Sequence, residues 1–254
     1  MSATTSVTTE VRPVQRTTDT AANVWRIVRF IAYSLRAMLL GYWLIMVVGF
    51  TLVGVGIHLA TGTLDESVWD YASQSPKYFS SAIGIMLMPT FFALLVAHGV
   101  TRRTIAQAGT AVLLLSATAT TCLWIVMYQL ESAVYAWQDW PQKFMNPHVF
   151  TSNSQVGLIF LEFFLLIMSH QVSGWIIATG FFRFGFWTGL LVLPVGLIPA
   201  VVTEFLLIAG WVGQVLGWDR APLAVSVPVV LAIVAAGLYG NYLMMRPIGL
   251  KQVK

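Results

Sequence analysis

The sequence predicts an all-α polytopic membrane protein, and three observations predict it. Of 254 residues, 57% are hydrophobic and only 9% charged, with a mean hydropathy of +0.77, whereas a soluble domain carries about 25% charged residues. Six runs are long and apolar enough to cross a hydrocarbon core about 30 Å thick, which takes about 20 helical residues. The basic residues are unevenly shared between the two sides of these runs. Arg12, Arg16, Arg26, Arg29, Arg36, Arg102, Arg103, Arg183, Arg246, Lys251 and Lys254 fall on one side, and only Lys77, Lys143 and Arg220 on the other. Basic loops are retained in the cytoplasm, so both termini are placed inside and the number of crossings is even.

The elements follow in order. Residues 1–22 are rich in Ser, Thr and Val, include Pro13, and lack the apolar core and cleavage site of a signal peptide; they read as a disordered cytoplasmic tail. Residues 23–254 read as a single transmembrane domain. In 23–36, Asn23, Arg26, Arg29 and Arg36 gather on one helical arc and Val24, Trp25, Ile27, Val28, Ile31 and Leu35 on the other. That pattern predicts a helix lying in the membrane interface, with its arginines on lipid phosphate. The alternative is an extension of the first span into the cytosol. Spans are expected at about 37–60, 80–97, 108–130, 156–177, 186–199 and 225–245.

The fifth run is overlong, almost uncharged from Phe186 to Trp218 and broken by Pro194, Pro199, Gly210, Gly213 and Gly217. A crossing that ends near Pro199, followed by a re-entrant segment at about 200–218, accounts for it; one long, kinked helix is the alternative. The outward loops Thr61 to Phe79 and Glu131 to Gln155 are longer than the inward ones and carry Trp69, Tyr71, Tyr78, Tyr135, Trp137 and Trp140, which suits an external cap at the headgroup boundary.

Composition also restricts function. A net charge of +4 with pI near 9.4 is explained by membrane orientation, which leaves no case for nucleic acid. The single cysteine, Cys122, forms no internal disulfide or thiolate metal site. There is no phosphate-cradling glycine loop with its lysine, no H-E-x-x-H and no G-x-S-x-G, so no catalytic or metal residue is assigned. The four histidines leave a rival open. His58 and His148 near the outer face, with His98 and His170 toward the inner one, would suit a haem-binding cytochrome b-like redox protein; polar histidines at the membrane edge explain them as well. A noncatalytic scaffold is a third reading.

Glu162 and Glu204 stand in apolar surroundings, where a carboxylate at mid-bilayer costs about 2.5–3.5 kcal/mol. They are candidates for a substrate path or for polar intramembrane contacts. Gly185 with Gly189, and Gly213 with Gly217, have the spacing of close helix packing, either within one subunit or along a dimer seam.

The short basic inward turn, from His98 through Gly99, Val100, Thr101, Arg102, Arg103 and Thr104 to Ile105, lies between the second and third of six spans. With the overlong fifth run and the Phe181-Phe182-Arg183-Phe184-Gly185 turn before it, the chain resembles the permease subunits of type-2 ABC transporters, and the likeness covers most of the chain past Asn23. The resemblance implies a substrate path shared with a second permease, the same or homologous, in a bacterial inner membrane. It implies a separate ATPase that holds ATP and Mg and engages residues 98–106, with Gly99, Thr101, Arg102, Arg103 and Thr104 as the coupling residues. Export is the implied direction, and the membrane lipids are the remaining partner. The outer loops exceed those of minimal members.

Overall fold

The computed structural model describes residues 20–207, 215, 217 and 221–249. The described chain is all-helical, with five long helices apolar enough to cross a membrane. The first, α1, runs Thr20–Thr61 without interruption. Residues 23–36, expected as an interfacial helix, and 37–60, expected as the first span, are thus one continuous helix. Neither proline nor glycine occurs between Thr20 and Leu40 to break it. The apolar arc is used on protein: Val28, Ile31 and Leu35 are buried in the core, while Arg26, Arg29 and Arg36 are exposed.

A short helix, α2 (Val68–Tyr71), is capped by the Ser67 hydroxyl, which accepts from the Asp70 amide. The second long element is composite: α3 (Ser75–Met86), a π-helical stretch (Leu87–Phe92) and α4 (Ala93–Ala97). The wide turns fall where Pro89 withholds an N–H from the ladder. Helix α5 (Arg102–Trp137) is N-capped by Thr101, and α7 spans Leu223–Met245.

The longest element, α6 (Val156–Leu207), is a hairpin of two helical limbs. At Gly185 the backbone leaves the helix with φ 78° and ψ −174°, a conformation open in practice only to glycine. Beyond it the second limb folds back on the first. The Ala200 amide donates to Ser173 Oγ at 3.1 Å, Gly196 lies on Ile177, and Gly189 on Phe181. Paired numbers that rise on one side as they fall on the other define antiparallel limbs. The expected break at residue 199 does not occur, because Pro194 and Pro199 are absorbed within the second limb. The re-entrant segment expected at 200–218 starts as helix to Leu207, and most of the remainder, Gly213 included, lies outside the described residues.

All six expected spans fall on helical residues. The first limb of α6 is the centre of the bundle. Its Gly174 meets the Ser81 carbonyl and Gly84 of α3 meets the Gln171 carbonyl, each so closely that a β-carbon would collide with backbone. The turn 98–101, Gly185 and 246–249 gather at one end: Arg102 donates to the Ile248 carbonyl at 2.9 Å and Arg183 to the Met244 carbonyl at 3.2 Å. This is the basic end. At the cap end, the loops 62–74 and 138–155 pair through Ser67 N to Lys143 O (2.9 Å) and Lys143 N to Asp65 O (3.3 Å).

Candidate functional site

The cap end holds a concentration of buried charge that hydropathy alone would not suggest. Burying a carboxylate is costly unless cations or donors surround it, and here each acid has one or both. Glu162, at 0% exposure on the first limb of α6, accepts from His148 Nδ1 at 2.6 Å through Oε1 and from the Val149 amide at 2.7 Å through Oε2. The other ring nitrogen, His148 Nε2, lies 2.6 Å from Oδ1 of Asp70, itself fully buried on α2. Asp70 Oδ2 accepts the Met145 and Asn146 amides at 2.6 and 2.9 Å. One imidazole thus ties two carboxylates, and each carboxylate ties a backbone loop.

His148 lies in the loop after Pro147, with a side chain 1% exposed. Burial by itself would push its pKa down; hydrogen bonds and charge from Asp70 and Glu162 outweigh that and hold it up, at about 9. The ring is a buried imidazolium at neutral pH. It stacks on Phe150 with ring centroids 4.4 Å apart, and Tyr128 OH approaches Asp70 Oδ1 at 3.4 Å.

A second group lies between α3 and the α6 hairpin. Lys77 Nζ is paired with Glu204 Oε1, and His170 Nε2 is 3.6 Å from the same oxygen. His170 Nδ1 contacts the Leu166 carbonyl at 2.8 Å. Glu204 Oε2 has no hydrogen-bond partner among the described residues. A fourth acid, Glu131 of α5, accepts from the Trp69 amide at 3.0 Å, Gln142 Nε2 at 2.8 Å and the Ser67 hydroxyl. Asp70, Glu131 and Glu162 therefore staple α2 and the long outer loop onto α5 and α6.

The sequence-assigned residues are divided between the two ends. Glu162 and Glu204 are buried at the cap end, as acids in apolar helices should be, and each has a cation. Those cations, Lys77 and His148, were read from sequence as outer-loop residues, and Asp70 and Glu131 as loop acids. The signal that could have joined them is the rule that a buried carboxylate needs a buried positive partner.

At the basic end, Gly99 takes φ +77° and completes a helix stop: its amide donates to the Val96 carbonyl at 2.9 Å and the Val100 amide to the Leu95 carbonyl at 3.0 Å. Thr101 then starts α5, its hydroxyl accepting from the Thr104 amide at 3.2 Å. The turn is four residues long, and 102–106 are helical. Arg103 points outward, whereas Arg102 is engaged with the C-terminal segment. A cleft of about 300 Å³ separates this turn from Asn23, Arg26 and Ile27 of α1. Gly185 serves the hairpin turn and Gly189 packs on Phe181; Gly217 has φ +60°.

Comparison of the chain with known protein families, characterised proteins and solved structures finds no match.

Proposed function

We propose that the chain is a six-span, bacterial inner-membrane subunit with both termini in the cytoplasm, and that it serves as the permease of an ABC transporter. In this reading the two limbs of α6 are separate crossings, which raises five long helices to an even six and matches the distribution of basic residues. A second permease completes the path, and a separate ATPase carrying ATP and Mg drives it, with export as the direction.

The observation that carries the reading is the construction of the basic turn. It is short, closed by Gly99 and Thr101, and fastened through Arg102 to Ile248, the segment that follows α7. A force applied there reaches α4, α5 and the chain end together. The partner surface is the first turn of α5, with Arg103 outermost, rather than a separate coupling helix. The haem alternative loses support because His148 spends both ring nitrogens on carboxylates, leaving neither for iron.

The test is copurification. The native chain should bring down an ATPase whose turnover falls at least tenfold with Arg103→Glu while the permease stays monodisperse; Arg103→Lys should retain it. Unchanged ATPase recovery and turnover in Arg103→Glu would reduce the arginine to a topology anchor.

A further inference from the structure

A second cavity, of about 400 Å³, opens between the α6 hairpin and α7 toward the basic end. Its walls are Ile176 of the first limb, Val195, Ile198 and Pro199 of the second, and Gly240 and Asn241 of α7, with no charged side chain among the described lining residues. Three features set it apart from a packing defect. Its size lies within the range of about 300–1,000 Å³ typical of small-molecule sites. Gly240 keeps it open, since a β-carbon there would meet nothing within 4 Å. Asn241, 1% exposed, lines it with both Oδ1 and Nδ2 lacking any partner among the described residues.

An amide buried with donor and acceptor both unmet costs about 1–3 kcal/mol for each group left unpaired, and buried polar groups in folded proteins are normally satisfied. The adjoining limb carries a local irregularity of its ladder. Pro199 supplies no N–H to the carbonyl of Val195, and the Ala200 amide is spent on Ser173 Oγ. A group that both gives and takes hydrogen bonds would therefore find partners here. The uncharged lining requires that group to be neutral, and the exposed flank of Val195 (60%) and Ile198 (47%) makes the entrance apolar.

We propose that this cavity binds an uncharged amphiphile, an apolar chain bearing one hydroxyl or amide that pairs with the side-chain amide of Asn241. The site holds whether or not an ATPase docks at the basic end. A diazirine-bearing 1-dodecanol, photolysed with the native chain in phosphatidylcholine nanodiscs, should label peptides containing residues 192–199 and 233–244. Unlabelled 1-dodecanol or dodecanamide should displace it at about tenfold lower concentration than n-dodecane, and the two polar competitors together distinguish hydroxyl from amide preference. Gly240→Leu, which fills the open space, should abolish labelling, with Gly240→Val in its place if the leucine variant is not monodisperse. Asn241→Leu should erase the advantage of the polar competitors while leaving dodecane displacement intact. Equal competition by dodecane in the native chain, or labelling undiminished in the glycine variants, would overturn the assignment.

Discussion

The two ends of this bundle solve the same problem in opposite ways. At the cap end, buried acids are tied by charge and by several donors: Asp70, Glu131 and Glu162 each accept two or more hydrogen bonds, and His148 spans two of them, while Glu204 Oε2 and Asn153 Oδ1 stay unpaired among the described residues. Toward the basic end, α7 carries an amide buried with neither atom paired beside an open apolar space. The difference is one of means: ion pairs and hydrogen bonds position the chain at one end, and apolar packing at the other. Electrostatic fixation specifies the loops of the cap; steric fit, through glycines that let backbones touch, specifies the helices below it.

The largest effect should come from the helix contact that both ends depend on. Gly84→Val drives a branched side chain into the Gln171 carbonyl, and the expected outcome is loss of monodisperse protein on size exclusion. Next is His148→Ala, which leaves two buried carboxylates facing each other without their cation. A loss of about 3–5 kcal/mol is expected, read as a lowered thermal midpoint in detergent, with Asp70→Asn/Glu162→Gln in the same background restoring part of it. If His148→Ala were neutral, the cap would not be held by charge and the contrast between the ends would fail.

The same imidazole gives a pH signature. Its folded-state pKa of about 9 lies above the ordinary 6.5, so the stability it contributes is fully present below about pH 6.5 and is lost as pH rises through 9. Thermal midpoints measured from pH 6 to 10 should fall across that window in the native chain and flatten in His148→Gln. A smaller effect of opposite sign is expected at the other end. In ligand-free detergent, Asn241→Leu should stabilise the protein by about 1–2 kcal/mol, because it removes an unpaired buried amide and keeps the volume. Of similar size and opposite sign to Asn241→Leu is Gly185→Ala, expected to cost about 1–3 kcal/mol for forcing a β-carbon into a glycine-only conformation, with both ends otherwise intact.

How much of this was legible in the sequence follows the same division. The apolar helices were readable because hydropathy and helix length are local properties: all six predicted runs fall on helix, within five long helices apolar enough to cross a membrane. Boundaries were less readable. Glu131 marks a loop by its charge, yet α5 continues to Trp137 because the acid is paid for by Ser67, Trp69 and Gln142 from distant parts of the chain. Pro199 reads as a helix end and is carried inside one. Arg26 and Arg29 suggest a lipid-facing helix, but Ile27, Val28, Ile31 and Leu35 of the opposite arc are buried against protein and only Trp25 stays exposed there. For the site, Glu162 and Glu204 stood out as acids in apolar runs, whereas His148 and Asp70 lie 78 positions apart and no periodicity links them. Pairing at that distance is set by tertiary fold alone.

The hairpin at Gly185 has a consequence for biogenesis. With a single residue reversing the chain between two apolar limbs, there is no tether long enough for one limb to be threaded while the other waits. On the six-span reading proposed above, the pair partitions into lipid as a unit. A lengthened connection, such as a flexible insert after Gly185, would uncouple the two insertion events and yield a population with α7 reversed in orientation.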